Sequence, residues 1–133
     1  MNEILALGRS KVEVDIETLM MLDSLDMKVK DRKLILEKCR AINEEKIVIT
    51  HGTDTMTNTA KVLGAEHLRK TVVITGAMIP HKFGTSDGLF NIASALAYVQ
   101  TMPHGVYIAM NGRVFLHDKV IKNRKTGIFE EIK

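Results

Sequence analysis

Three short apolar runs constrain this chain more than any other feature. They are Lys46–Thr50 (KIVIT), Thr71–Thr75 (TVVIT) and Gly105–Met110 (GVYIAM). Each is too short for an ordinary helix. Each is also too continuously apolar for a strand with one wet face, and such runs suit strands of a parallel sheet, covered on both sides. The segments between them have helical spacing. Asp31–Asn43 (DRKLILEKCRAIN) sets Ile35, Cys39 and Ile42 on one stripe. Thr57–Leu68 (TNTAKVLGAEHL) reads as a helix weakened at Gly64, and Ser86–Gln100 (SDGLFNIASALAYVQ) as a helix with Ser86 as N-cap and Asp87 in its first turn.

Strands alternating with helices predict an α/β fold with three layers, α/β/α, around a mainly parallel sheet. Val12–Leu22 (VEVDIETLMML) starts as apolar/polar alternation and ends as an apolar run, so a further strand is expected there. Residues 76–88 (GAMIPHKFGTSDG) read as a loop punctuated by Gly76, Pro80 and Gly84. Asn111-Gly112 is a tight-turn signal leading into a short strand, RVF. The 133 residues make one domain, 1–133, and 45% hydrophobic content is enough for its core.

The composition narrows the function classes. The formal charge is +3, and the basic clusters Lys28–Lys33 (KVKDRK) and Lys122–Lys125 (KNRK) read as solvated faces. With 5% aromatics and no Trp, nucleic-acid binding by base stacking is disfavoured. The sequence shows no transmembrane run and no signal-peptide pattern, so no membrane partner is expected. Its single cysteine, Cys39, lies in an apolar stripe, and a reducing cytoplasm is the default location. The five histidines lack metal-ligand spacing and no Gly-rich phosphate motif occurs, so neither a metal nor a cofactor is expected. The eight methionines read as core filler.

The chemistry-bearing stretch is His51-Gly52-Thr53-Asp54-Thr55, where a strand ends and a helix begins. In open α/β sheets ligands bind beyond the carboxyl ends of the strands, and Thr75–Met78 (TGAM) lies at another such end. Thr53 offers a hydroxyl that needs a base or cation to become a nucleophile. Asp54 offers a carboxylate for an ammonium group or a lysine. Asp and Thr before a helix are also common caps, so spacing alone leaves catalysis and capping both open. Ser24 reads equally as a turn residue, Lys122 as a surface charge and Asp87 as a helix N-terminal acid.

Four motifs in order resemble the L-asparaginase family, the bacterial-type threonine amidohydrolases. HGTDTMTNTA is similar to the family's second signature, and TGAMIP with SDGLFNI to the stretch after it. DSLDM (Asp23–Met27) resembles its serine-bearing substrate loop, and GVYIAMNGRVFLHDKVIKN the segment ending at its active-site lysine. The ending KNRKTGIFEEIK resembles the short, single-domain branch. The fold so implied is flavodoxin-like, as in the N-terminal domain of asparaginases. The activity implied is hydrolysis of L-asparagine to L-aspartate and ammonia. By the same resemblance Thr53 is the second catalytic threonine and Lys122 the lysine that completes a Thr-Lys-Asp set. Asp54 is its carboxylate, which also holds the substrate's α-ammonium group. Ser24 contacts the substrate carboxylate, Gly52 belongs to the same binding loop, and Ala77 contributes a backbone contact to the side-chain amide. The implied partners are a small amide substrate and, as a homo-oligomer, a second copy in a dimer.

Asparaginases also carry a first strand running into a Gly-Gly-Thr-Ile segment with the first threonine nucleophile, then a mobile loop, and a second domain. These have no counterpart in the 133 residues, and MNEILALGRSK resembles the helix that follows that loop. In a sheet of order 2-1-3-4-5 that first strand would lie between VEVDIETLMML and KIVIT. Without it, rows of backbone groups lose their partners. The expectation is therefore an amidohydrolase that is incomplete or inactive as this chain, and unstable alone. The alternative is a non-catalytic remnant or small-amino-acid binding module of the same fold.

Overall fold

The structure is a computed structural model, and it describes residues 1–79 and 86–132. The order is α1 (Asn2–Leu7), a 3-10 turn (Ser24–Asp26), α2 (Val29–Ala41), β1 (Lys46–Thr50), α3 (Met56–Gly64), β2 (Thr71–Thr75), α4 (Gly88–Thr101), β3 (Gly105–Met110), β4 (Arg113–Leu116), β5 (Val120–Lys122) and β6 (Phe129–Glu131). One sheet has the order β1-β2-β3-β4, and β5-β6 form a second, two-stranded sheet. The three apolar runs are parallel neighbours, with Ile49 beside Ile74 and Ile74 beside Ile108. β4 returns antiparallel through Asn111-Gly112, whose φ values of 56° and 79° are those a two-residue hairpin turn requires.

Strand alternation divides the sheet between two helical layers. Val72, Ile74, Val106, Ile108 and Met110 face α2 and α3, where they pack with Ile35, Leu36, Cys39, Met56, Ala60 and Leu63. Val73, Tyr107 and Ala109 face α4, against Ala95 and Val99. The expected three-layer α/β/α arrangement is therefore present. Both ends of α2 are held by side chains. The Asp31 carboxylate accepts from Lys28 N at the start of α2, and the Lys70 ammonium donates to the carbonyls of Cys39 and Ile42 at its end.

One expected strand is absent: Val12–Leu22 runs without regular structure, and among the described residues no strand lies alongside to take its N–H and C=O groups. Val12, Val14 and Ile16 stay exposed. Leu19 and Met20 anchor the tract on the core, and Glu17 pairs with Lys38 at 2.9 Å. Of the order 2-1-3-4-5, the 3-4-5 part is present as β1-β2-β3, extended by the antiparallel β4, with β1 at the edge among the described residues. The third helix was expected to reach Leu68 but ends at Gly64, and α4 begins at Gly88 rather than Ser86. Ser86 still serves its start, accepting from Gly88 N through Oγ at 2.9 Å. Pro80 and Gly84, two marks of the expected loop, lie outside the described residues. No described helix is long and apolar enough to cross a membrane.

Candidate active site

The carboxyl end of β1 continues one residue past the strand, where His51 N donates to Thr75 O at 2.8 Å. The chain then turns through Gly52 to Asp54 before α3 begins. Two glycines let this turn close. A Cβ on Gly52 would meet Ser24 Cβ and Oγ at 2.9 Å, and one on Gly76 would meet the His51 carbonyl oxygen at 2.2 Å. Ser24, buried in its 3-10 turn, is thereby pressed on Gly52, and the TGAM loop carrying Ala77 abuts the HGTDT loop.

None of the three hydroxyl and carboxylate residues caps α3. Thr55 is the N-cap residue, yet no side-chain cap bond forms there; its Oγ1 donates to Ser24 O at 2.7 Å. Thr53 and Asp54 turn instead to Lys122, whose Nζ lies 2.9 Å from Thr53 Oγ1 and 3.0 Å from Asp54 Oδ1. β5 explains how a lysine from so far along the chain arrives. Val120 and Lys122 share one face of the strand, two residues apart. Val120 is fully buried in the core against α3, while Ile121 on the other face is exposed. Anchoring Val120 therefore aims Lys122 inward, and its side chain is only 9% exposed.

Asp54 also meets Arg124, with Nη1 at 3.2 Å from the same Oδ1 and Nη2 donating to the Asp54 main-chain oxygen. The carboxyl is held below its ordinary value of 3.8, chiefly by the hydrogen bond from Lys122, with the charges of Lys122 and Arg124 adding to it against some desolvation. Asp54 is thus an anion throughout the neutral range.

Sequence reasoning missed two supports. His51 was weighed only as a metal ligand, but its Nδ1 stands 2.7 Å from Gly52 O and its Nε2 2.8 Å from Thr59 Oγ1. A carbonyl can only accept, so Nδ1 carries the proton and Nε2 accepts from the Thr59 hydroxyl. Arg32 Nε in turn donates to that Thr59 oxygen. Burial pushes the imidazole below its ordinary 6.5, which keeps it neutral. Asn91, fully buried on α4, donates to Gly76 O and to Asp87 Oδ2 and accepts from Asn111 N. It ties the ends of β2 and β3 together. The Asp87 carboxylate also accepts from Met78 N and Ile79 N, so it organises the loop after Ala77. A polar residue in the apolar stripe of LFNIASALAYV was the available signal for Asn91.

The chemistry these residues offer is a hydroxyl with an ammonium on it and a carboxylate behind it, at strand ends lined by backbone. Comparisons with known proteins identify the family of the chain. Residues 2–129 match the family model described as Asparaginase, N-terminal. L-asparaginase 1 of Escherichia coli (strain K12) is 35% identical over 112 residues, covering 80% of this chain and 33% of that protein. The solved thermostable L-asparaginase from Thermococcus kodakarensis superposes with a TM-score of 0.90 at 28% identity, over 98% of this chain and 43% of that one. The probable cytoplasmic L-asparaginase from Campylobacter jejuni does so with a TM-score of 0.81 at 29% identity, over 91% of this chain and 40% of that one. The chain thus spans a third of the E. coli protein's length and less than half of each of these two structures. It belongs to the asparaginase family.

Proposed function

We propose that this chain supplies the Thr-Lys-Asp half of an asparaginase-type amidohydrolase active site, acting on the side-chain amide of asparagine or a related small amide. The observation that carries the reading is the convergence of Lys122 Nζ on Thr53 Oγ1 at 2.9 Å and Asp54 Oδ1 at 3.0 Å. In this reading Lys122 Nζ relays the proton that the Thr53 hydroxyl gives up. The oxygen so activated, that of Thr53 or of a water it holds, adds to the amide carbon. Backbone amides of the strand-end loops meet the developing oxyanion. Lys122 then returns the proton to the leaving nitrogen, and water completes the exchange of amide for acid and ammonia. Asp54 orients the lysine, while Ser24, Gly52 and Ala77 line the substrate.

The same reading makes a small amide the substrate, the cytoplasm the location and a homo-oligomer the working form. No Gly-Gly-Thr-Ile threonine occurs in these 133 residues, so ammonia release by them alone is expected to be absent or slight. The test is ammonia release from asparagine by this chain and by any longer natural form, each with Thr53→Ala and Lys122→Ala. Activity in the longer form that both substitutions abolish supports the reading. Binding of aspartate without turnover in any form favours the binding-module alternative.

A further inference from the structure

A cavity lies at the end of the sheet opposite the HGTDT loop, where β2 and β3 begin and β4 ends. Its volume is about 370 Å³, and small-molecule clefts run from about 300 to 1,000 Å³. Four nitrogen-bearing side chains line it. His67 and Arg69 come from the turn between α3 and β2, His104 precedes β3, and His117 follows β4. Leu68, Val106 and Leu116 supply apolar wall beside them.

The charge of this lining has one sign. No carboxylate contributes to it. Of the acids next to lining residues in sequence, Glu66 is paired with Arg40 at 2.9 Å, and Asp118 stands outside the lining. The last carbonyls of α3, which would repel an anion, already have donors: Lys61 O accepts from Ala65 N, Leu63 O from Glu66 N and Gly64 O from His67 N. Among the described residues no hydrogen bond or ion pair engages the side chains of His67, Arg69 or His104. No group of three His, Cys, Asp or Glu among them is placed to bind a metal ion, so the three imidazoles are available as hydrogen-bond donors rather than as metal ligands.

Two of the histidines are held at a cost. His67 has a φ of 48°, a left-handed conformation that Gly or Asn takes more readily after a helix. The His117 ring lies on Gly64, where any Cβ would collide with its Cγ, Cδ2 and Nε2. Its Nδ1 is closed off from solvent and has no hydrogen-bond partner among the described residues. Orphaned buried N–H groups are rarer than orphaned acceptors, so the neutral ring has its proton on Nε2. The donor is then on the ring edge at Gly64, which itself lines the cavity.

We propose that this cavity binds a phosphate group, free or as the ester of a small molecule. A guanidinium matches two phosphate oxygens in one plane, and imidazole N–H groups suit the remaining ones. A carboxylate would bring only two oxygens and one charge to the same four side chains. In an ester, the organic part would rest on Leu68, Val106 and Leu116. The site shares no residue with the Thr53, Asp54 and Lys122 cluster and does not depend on the amidohydrolase reading.

Calorimetric titration of the purified protein with inorganic phosphate, phenyl phosphate and benzoate tests it. Both phosphates are expected to bind at least about tenfold more tightly than benzoate. Tighter binding of phenyl phosphate than of inorganic phosphate would identify an ester as the ligand, and equal affinities would identify free phosphate. Arg69→Ala should weaken phosphate binding about tenfold or more, the scale of one lost charge-assisted hydrogen bond, and Arg69→Lys should restore part of it. Arg69 is exposed, so the thermal midpoint of Arg69→Ala without ligand should match that of the unsubstituted protein. Side-chain NMR signals of His67, His104 and His117 should move on addition of phosphate while those of His51 stay. Benzoate binding as tightly as the phosphates, an absence of phosphate binding, undiminished binding by Arg69→Ala, or movement of the His51 signals to the same extent would each overturn the proposal.

Discussion

Gly76 and His51 touch backbone to backbone: a Cβ on Gly76 would stand 2.2 Å from the His51 carbonyl oxygen. The loops after β1 and β2 can lie this close only because position 76 has no side chain. Gly76→Ala is expected to force them apart and to destabilise the fold by about 1–3 kcal/mol, the usual range for overpacking. Because Thr53 and Asp54 follow His51 by two and three positions, ligand affinity should fall as well. Urea unfolding checks the first effect, and an unchanged midpoint would show that the loops separate freely.

Thr59 has its hydroxyl between the His51 imidazole and the Arg32 guanidinium. Thr59→Val keeps the shape and removes the oxygen, leaving His51 Nε2 buried without a donor. A loss of about 1–3 kcal/mol is expected. Thr59→Ser restores the hydroxyl and should recover most of it. Equal stability of the Val and Ser variants in denaturant titrations would deny the network a structural role.

Stability should fall in two separate pH windows. His51 has its folded value below the ordinary 6.5, first through burial and then through the charge of Arg32, against a hydrogen bond to Gly52 that raises it. As pH drops below about 6.5 the unfolded chain takes up a proton that the native imidazole refuses, so the contribution present above that pH is lost on acidification. Asp54 is also depressed, below 3.8, and its contribution is lost only as pH falls under that value. Thermal midpoints measured from about pH 8 to about pH 2 should decline near 6.5 and again below 3.8, and His51→Gln should shrink the first decline without touching the lower window.

Asn91→Leu keeps the branched skeleton of the side chain but strands two backbone groups, Gly76 O and Asn111 N, that Asn91 now partners. A cost of about 2–4 kcal/mol is expected for a buried group bonded on both sides. Hydrogen exchange at the Asn111 amide is the specific readout. Protection equal to that of the unsubstituted protein would mean that another acceptor takes over.

The parts of this molecule visible in the sequence are those set by local chemistry. KIVIT, TVVIT and GVYIAM have few places to go but a covered sheet, and Asn111-Gly112 has the residues its positive φ values demand. HGTDT was placed at a strand end for the same reason. What stayed hidden depends on distant neighbours. Val12–Leu22 has the alternation of a strand, but a strand also needs a partner, and among the described residues the tract has none. β5 and β6 are three residues each, too short for any periodicity to register. Lys122 is 69 positions from Thr53, and only family resemblance linked them in advance. Arg124 was counted in a solvated basic cluster, and nothing in its neighbours along the chain pointed to Asp54.

Thr53 and Lys122 should behave as one unit in any active form. Their atoms share a 2.9 Å hydrogen bond, and Asp54 holds the lysine from the other side at 3.0 Å. If Lys122 activates Thr53, removing either leaves the other with nothing to act on or act through. Thr53→Ala and Lys122→Ala are each expected to lower kcat by about 100-fold or more, the range of a lost acid–base partner. The double variant should be little worse than either single one, because losses within a catalytic unit do not add. Asp54→Asn should lower kcat less, since Lys122 and Thr53 stay bonded while the lysine loses its anion. Steady-state kinetics on the four proteins measures the coupling directly. Losses that multiply in the double variant would mean that Thr53 and Lys122 serve separate steps, and the proton relay between them would have to be abandoned.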